Sequence, residues 1–198
     1  MMERFYLIVG HVERIELLVP HGVKLVQLRI KDKPIAEVHR QIARARDFCA
    51  VHRAQLVVND YWQAALDLRC RFVHLGQDDM KTADFAALRR AGVRFGLSTH
   101  DEAELDHALS YDPAYVALGP VYPTKLKQMK WDPQGLERVQ HWKKMIGDTP
   151  LVGIGGLTVD RLHGLFVAGA DSAAVVTDIQ QADDPEARTR DWIKACAP

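Results

Sequence analysis

The polar residues able to do chemistry in this chain sit where short apolar runs end. Along Val26-Gln27-Leu28-Arg29-Ile30-Lys31-Asp32, the residues Gln27, Arg29 and Lys31 share one side of an extended segment. Later runs give way to Asn59-Asp60, to Gly76-Gln77-Asp78-Asp79, and to Ser98-Thr99-His100. Another leads through Gly119-Pro120-Val121-Tyr122-Pro123 into Thr124-Lys125-Leu126-Lys127. The last two lead into Gly155-Gly156, ahead of Thr158, and into Val176-Thr177. Asp after a strand most often caps a helix, and Asp60 or Asp79 taken singly reads that way. Two acids facing several cations point instead to a hard divalent metal. Mg²⁺ takes one or two carboxylates and completes its shell with phosphate oxygens and water. If Asp60 and Asp79 cancel the metal, Arg29, Lys31 and Lys127 are left to meet a diphosphate of roughly three negative charges. A Schiff-base lysine at position 31 or 127 is the rival reading. It requires a desolvated amine, whereas the loop bearing Lys125, Lys127 and Lys130 reads as solvated.

Other catalytic signatures are missing. The nine histidines contain no HExxH or HxH pair, and there is no nucleophile elbow, P-loop or GxGxxG. His39, His52, His107, His141 and His163 fall on predicted helices, while His74 and His100 stand near strand ends. Trp131, Trp142 and Trp192 read as packing residues; Trp62 falls beside the Asn59-Asp60 turn.

The elements that must position these residues follow from periodicity. Candidate strands are Phe5–Val9, Val23–Arg29, Gln55–Asn59, Phe72–Leu75, Arg94–Ser98, Tyr115–Leu118, Leu151–Ile154 and Ala173–Thr177. They are rich in Val, Leu and Ile without strict alternation, as strands buried on both faces are. Amphipathic segments lie between them. Ile35, Val38, Ile42, Ala45 and Cys49 repeat at helical spacing across Ile35–His52, and Val159, Leu162 and Phe166 do so before a stop at Gly169. Asp184 before Pro185, with Glu186 following, opens a last helix. Alternation of eight strands and eight helices predicts a minimal (β/α)8 TIM barrel, one domain over 1–198, with a doubly wound open sheet as runner-up. In a barrel the loops after strands seven and eight often bind phosphate. Gly155-Gly156 and Val176-Thr177 then become a second anion site, although an ordinary glycine turn is the plainer reading of either alone.

Composition narrows the function classes. The chain has 198 residues, 47% of them apolar and 26% charged, with 26 Lys plus Arg against 26 Asp plus Glu. Sequence-blind binding to nucleic acid or an anionic membrane needs a basic excess that is missing here. No apolar run approaches the roughly 18 residues of a membrane span, and Glu3 argues against a signal peptide. Cys49, Cys70 and Cys196 show no CxxC spacing and read as reduced thiols in a cytoplasmic protein. The expected partners are small-molecule substrates, and a homo-oligomer is left open.

These stretches resemble the bacterial thiamine-phosphate synthase (thiamine-phosphate pyrophosphorylase) family. The resemblance is carried by 26–31, 58–62, 73–79, 96–100, 118–124, 127–129, 133–136, 152–156 and 174–177, in order along nearly the whole chain. It implies a (β/α)8 barrel in which a hydroxymethylpyrimidine diphosphate loses pyrophosphate and a thiazole phosphate takes the methylene through nitrogen, giving thiamine monophosphate. The step it implies is dissociative, with Mg²⁺ and basic groups on the departing pyrophosphate. Such chemistry depends on positioning and electrostatics more than on a nucleophile.

By the same resemblance, Gln27 hydrogen-bonds the pyrimidine within a substrate-lining stretch that includes Leu28 and Ile30. Arg29, Lys31, Asn59, Ser98 and Lys127 meet the diphosphate, with Arg29, Lys31 and Lys127 as the catalytic cations. Asp60 and Asp79 hold Mg²⁺. Thr124, Lys125, Leu126, Gly156, Val176 and Thr177 cradle the thiazole phosphate. Two departures stand out: Leu126 replaces a threonine in the family's Thr-x-Thr-Lys, and the first strand ends in Val9-Gly10-His11 rather than an acidic end. The thiazole tautomerase branch of the superfamily is the nearest rival, but it carries a histidine where this chain has Pro120. A non-catalytic thiamine-precursor binding protein is the other alternative, motivated by Leu126.

Overall fold

The computed structural model describes residues 2–124 and 131–197. Eight parallel strands close on themselves in chain order: β1 (Phe5–Val9), β2 (Leu25–Leu28), β3 (Gln55–Asn59), β4 (Phe72–Leu75), β5 (Arg94–Thr99), β6 (Tyr115–Leu118), β7 (Leu151–Ile154) and β8 (Ser172–Val175). Closure is made by β1, which pairs with β2 through Leu7 opposite Val26 and with β8 through Phe5 opposite Ala173. The open-sheet alternative is thereby excluded.

Ten helices fill the outer layer among the described residues: α1 (Val12–Leu18), α2 (Ile35–Val51), α3 (Trp62–Asp67), α4 (Gln77–Met80), α5 (Phe85–Arg90), α6 (Glu102–Leu109), α7 (Gly135–Ile146), α8 (Leu162–Val167), α9 (Thr177–Gln180) and α10 (Pro185–Ala195). The two beyond the expected eight are the one-turn helices α4 and α9, which follow β4 and β8. Capping chemistry explains where several start. Asp84, Asp101 and Asp184 each accept a backbone N–H three residues on, and Pro185 occupies the first position of α10.

Both faces of the strands are buried, as their composition requires. Leu7, Val26, Val58, Leu75, Leu97 and Val116 pack outward under the helices. Tyr6, Ile8, Leu25, Val57, Phe72, Tyr115, Ala117, Val152 and Ala174 fill the barrel. Trp142 and Trp192 are fully buried in packing roles, and each ring N–H finds an acceptor: Thr99 Oγ1 at 3.0 Å and Asp178 Oδ2 at 2.6 Å.

Four expectations need correction, the first being β5, which runs one residue past Ser98 to Thr99. β2 begins at Leu25 and ends at Leu28, so Val23 and Arg29 lie outside it. β8 stops at Val175, because Val176 turns to ψ −73° and caps α9. Ile35 is 60% exposed and not part of the core stripe of α2, which Val38, Ile42, Ala45 and Cys49 form.

Candidate active site

The mouth of the barrel is built by the residues that leave β2 to β8. Gln27 follows Leu25 on the inner side and is 2% exposed; its Nε2 donates to Tyr6 Oη at 2.8 Å. Leu28 and Ile30 are buried in the outer core, so their side chains turn away from the mouth, contrary to a side-chain role in substrate lining. Arg29 and Lys31 stand exposed at the rim. The Lys31 ammonium forms a salt bridge with Asp60 Oδ2.

Asp60 adopts φ 62°, a left-handed conformation that Asp tolerates better than most residues. Its carboxylate does not cap α3, whose N-cap is Tyr61 with no side-chain bond, so the capping alternative fails for Asp60. For Asp79 it holds in part: Asp79 Oδ2 accepts the Gly76 N–H at 3.1 Å at the start of α4. Burial first, and the neighbouring Asp60 charge second, push the Asp79 carboxyl above its usual range. The two predicted metal ligands are therefore brought together, with Lys31 against them. Among the described residues no group of three or more His, Cys, Asp or Glu gathers.

Asn59 continues the inward side of β3 after Val57 and is 4% exposed. Its Nδ2 is a buried donor with no hydrogen-bond partner among the described residues. Across β4, His74 Nε2 meets Ser98 Oγ at 2.9 Å, and His74 Nδ1 meets Tyr115 Oη at 2.8 Å. Burial lowers the His74 pKa to about 4, so its imidazole is neutral near pH 7. Gln77 Nε2 grips the Ser98 carbonyl at 2.6 Å and ties α4 to the end of β5.

The loop after β6 is bound to the end of β7. Val121 N–H donates to Ile154 O at 2.8 Å and Tyr122 N–H to Gly155 O at 3.0 Å. Gly155 and Gly156 have φ 99° and 63°. A Cβ on Gly155 would lie 2.6 Å from Pro120 Cα, and one on Gly156 would lie 2.8 Å from Tyr122 Cβ. These glycines are thus already required by the approach of the neighbouring loop. Thr124, Gly156, Val176 and Thr177 are half-buried around this end, and the first N–H groups of α9 have no intrahelical acceptor. Lys125, Leu126 and Lys127 lie outside the described residues. Just beyond, Trp131 stacks on His100 at 5.5 Å, and His100 Nδ1 meets Glu104 Oε2 at 2.7 Å.

Tyr6, Tyr115 and Gln77 were not singled out by sequence reasoning. The two tyrosines carry the apolar signature of a strand core, and only their polar tips, invisible to periodicity, join the site.

Comparison with known proteins agrees with this architecture. The family model described as thiamine monophosphate synthase matches residues 5–179. The chain is 56% identical over 197 residues to a thiamine-phosphate synthase of Rhizobium etli, covering 100% of this chain and 97% of that one. It is 47% identical over 179 residues to one from Cronobacter sakazakii, covering 90% and 85%. The solved thiamine phosphate pyrophosphorylase of Pyrococcus furiosus superposes with TM-score 0.86 at 25% identity, covering 98% of this chain and 95% of its own. By fold, by the order of its motifs and by these relatives, the chain belongs to the thiamine monophosphate synthase family.

Proposed function

We propose that the barrel mouth is the active site of a transferase forming thiamine monophosphate, assisted by Mg²⁺, whose main task is to stabilise charge on a departing diphosphate. The supporting observation is the meeting at one rim of Asp60, Asp79, Lys31 and the orphan Nδ2 of Asn59. Acids for a hard cation, and a cation with an unspent buried donor for anionic oxygens, are complementary to a metal diphosphate.

The donor set fits Mg²⁺. Two carboxylates without a closed protein cage leave positions for phosphate oxygens and water, the arrangement Mg²⁺ prefers. A bound cation would also offset the burial and the Asp60 charge that raise the Asp79 carboxyl. When bound, Mg²⁺ supplies Lewis-acid neutralisation of the diphosphate oxygens.

The remaining roles fall to the chain. Gln27 orients the aminopyrimidine. Arg29, Lys31 and Lys127 hold the diphosphate by charge-assisted bonds, and Asn59 and Ser98 donate to its oxygens. Thr124, Lys125, Leu126, Gly156, Val176 and Thr177 surround the thiazole phosphate. As the bond from methylene carbon to diphosphate oxygen breaks, the electron pair leaves with pyrophosphate. The thiazole nitrogen lone pair then forms the new C–N bond. That nitrogen carries no proton, so the step requires no general base, which fits the missing triad. Three buried free thiols fit a cytoplasmic setting.

The test is pyrophosphate release on mixing both substrates with Mg²⁺. Release that needs both substrates and the metal supports the synthase. Isomerisation of a thiazole carboxylate phosphate without metal would establish the tautomerase instead, and binding without turnover a precursor-binding protein.

A further inference from the structure

Inside the barrel, between two groups assigned to substrate, runs a continuous buried hydrogen-bond chain. Gln27 Nε2 donates to Tyr6 Oη at 2.8 Å, and Tyr6 Oη meets Tyr115 Oη at 2.9 Å. Tyr115 Oη meets His74 Nδ1 at 2.8 Å, and His74 Nε2 meets Ser98 Oγ at 2.9 Å. The chain passes through β2, β1, β6, β4 and β5, and Tyr6, Tyr115, His74 and Gln27 are each at most 9% exposed.

With the Gln27 N–H donating to Tyr6, proton counting sets its direction. Each hydroxyl has one hydrogen, and a neutral imidazole has one N–H. The Tyr6 oxygen receives the Gln27 amide, so the Tyr6 hydrogen goes to Tyr115, the other polar group it meets. The Tyr115 hydrogen must then go to His74 Nδ1. The imidazole proton is thereby placed on Nε2, where it donates to Ser98. Ser98 accepts from within and keeps its own hydrogen for the site. Reversing the chain would make Ser98 donate into His74 and would turn the Gln27 carbonyl, in place of its N–H, onto the Tyr6 hydroxyl. A buried unsatisfied hydroxyl is costly, so the two ends are coupled.

We propose that Gln27, Tyr6, Tyr115, His74 and Ser98 form a polarised relay that keeps Ser98 a hydrogen-bond donor toward the leaving diphosphate and leaves the Gln27 carbonyl to accept from the amine of the pyrimidine. Tyr6, Tyr115 and His74 are then positioning residues, acting through the groups at the ends. The assignment of the two ends rests on the synthase reading above; the direction of the relay does not. The geometry is also supported by packing. The His74 and Tyr115 rings are stacked at 5.7 Å and 10°, the Tyr6 and Tyr115 rings meet edge-on at 5.9 Å and 84°, and a Cβ at Gly96 would overlap the Tyr115 ring.

The direction is read by ¹⁵N NMR of His74 in the wild-type protein. The Nε2–H tautomer is expected, and an Nδ1–H tautomer overturns the proposal. The function is read by a double-mutant cycle. Tyr115→Phe should lower kcat about tenfold with little change in the KM of either substrate, and should lower it much less when Ser98 is already alanine. Equal losses in both backgrounds mean that Tyr115 acts only through packing, and overturn the proposal, as does wild-type kcat in Tyr115→Phe. Tyr6→Phe serves in the same cycle if Tyr115→Phe does not fold. If the wild-type protein shows the expected tautomer but never releases pyrophosphate, the synthase reading fails while the direction stands. The cycle is then read on affinity for inorganic pyrophosphate, where additive losses again overturn the donor role of Ser98.

Discussion

The ring of Tyr115 lies over the backbone of Gly96, its pairing partner on β5, in the space that any side-chain Cβ at position 96 would fill. The missing side chain is what lets the Tyr115 hydroxyl reach both Tyr6 and His74. Gly96→Ala should therefore displace the ring and cost about 1–3 kcal/mol of stability by overpacking. Chemical denaturation checks the cost. In Gly96→Ala, kcat should also fall. In a Tyr115→Leu background, the further cost of Gly96→Ala should be much smaller than in the wild type, because the clash is removed.

A second prediction concerns the acidic pair. Asp60 occupies a left-handed backbone conformation that asparagine also adopts readily, and an amide oxygen in place of the Asp79 carboxylate can still accept the Gly76 N–H. Asp60→Asn and Asp79→Asn should thus fold normally yet lower kcat by about a hundredfold or more, since leaving-group charge loses several kcal/mol of stabilisation. EDTA should abolish wild-type turnover and Mg²⁺ should restore it. Near-wild-type rates in either variant would remove that residue from the metal site.

The pH dependence of stability has a definite sign. His74 titrates near 6.5 when unfolded and near 4 when buried, so the unfolded chain binds the proton more tightly. The resulting stabilisation is complete above about pH 6.5 and is lost as the pH falls toward 4, by about 2–3 kcal/mol. Urea melts at about pH 7 and pH 4.5 should show this loss in the wild type. His74→Gln should show a smaller loss over the same interval, although it starts less stable at neutral pH. Equal losses in the two proteins would show that other groups carry the dependence.

The last prediction starts from sequence. Leu126 has no donor for an anionic oxygen where the resemblance leads one to expect a threonine hydroxyl, a charge-assisted bond worth about 1.5–3 kcal/mol. Leu126→Thr should lower the KM for the thiazole phosphate roughly tenfold, equivalent to about 1.4 kcal/mol, and leave that for the pyrimidine diphosphate unchanged. Steady-state kinetics with each substrate varied in turn decides it. An unchanged thiazole KM would mean that position 126 does not face the phosphate or that a nearby lysine compensates.

Much of this protein was determined locally and could be read from the chain. The apolar runs place five of the eight strands at the bounds seen, β1, β3, β4, β6 and β7. Asp184 and Pro185 start α10 where their capping chemistry dictates, and the polar residues that end the strands are those at the mouth. These features depend on neighbours a few residues apart, which periodicity and propensity report. Closure of the barrel depends on β1 meeting β8 across more than 160 residues, Phe5 opposite Ala173, and no local pattern contains that pairing. The same holds within the site. Asp60 and Asp79 were legible as acids, but which one caps a helix was settled by the turn each enters. Leu28 and Ile30 share a motif with Gln27 and Arg29, yet the alternation of the segment turns them into the outer core. Tyr6 and Tyr115 are 109 residues apart and look like ordinary core aromatics; only closure of the barrel brings their hydroxyls to 2.9 Å. Burial then leaves each buried hydroxyl no water to bond, so their polar tips had to pair with one another and with His74.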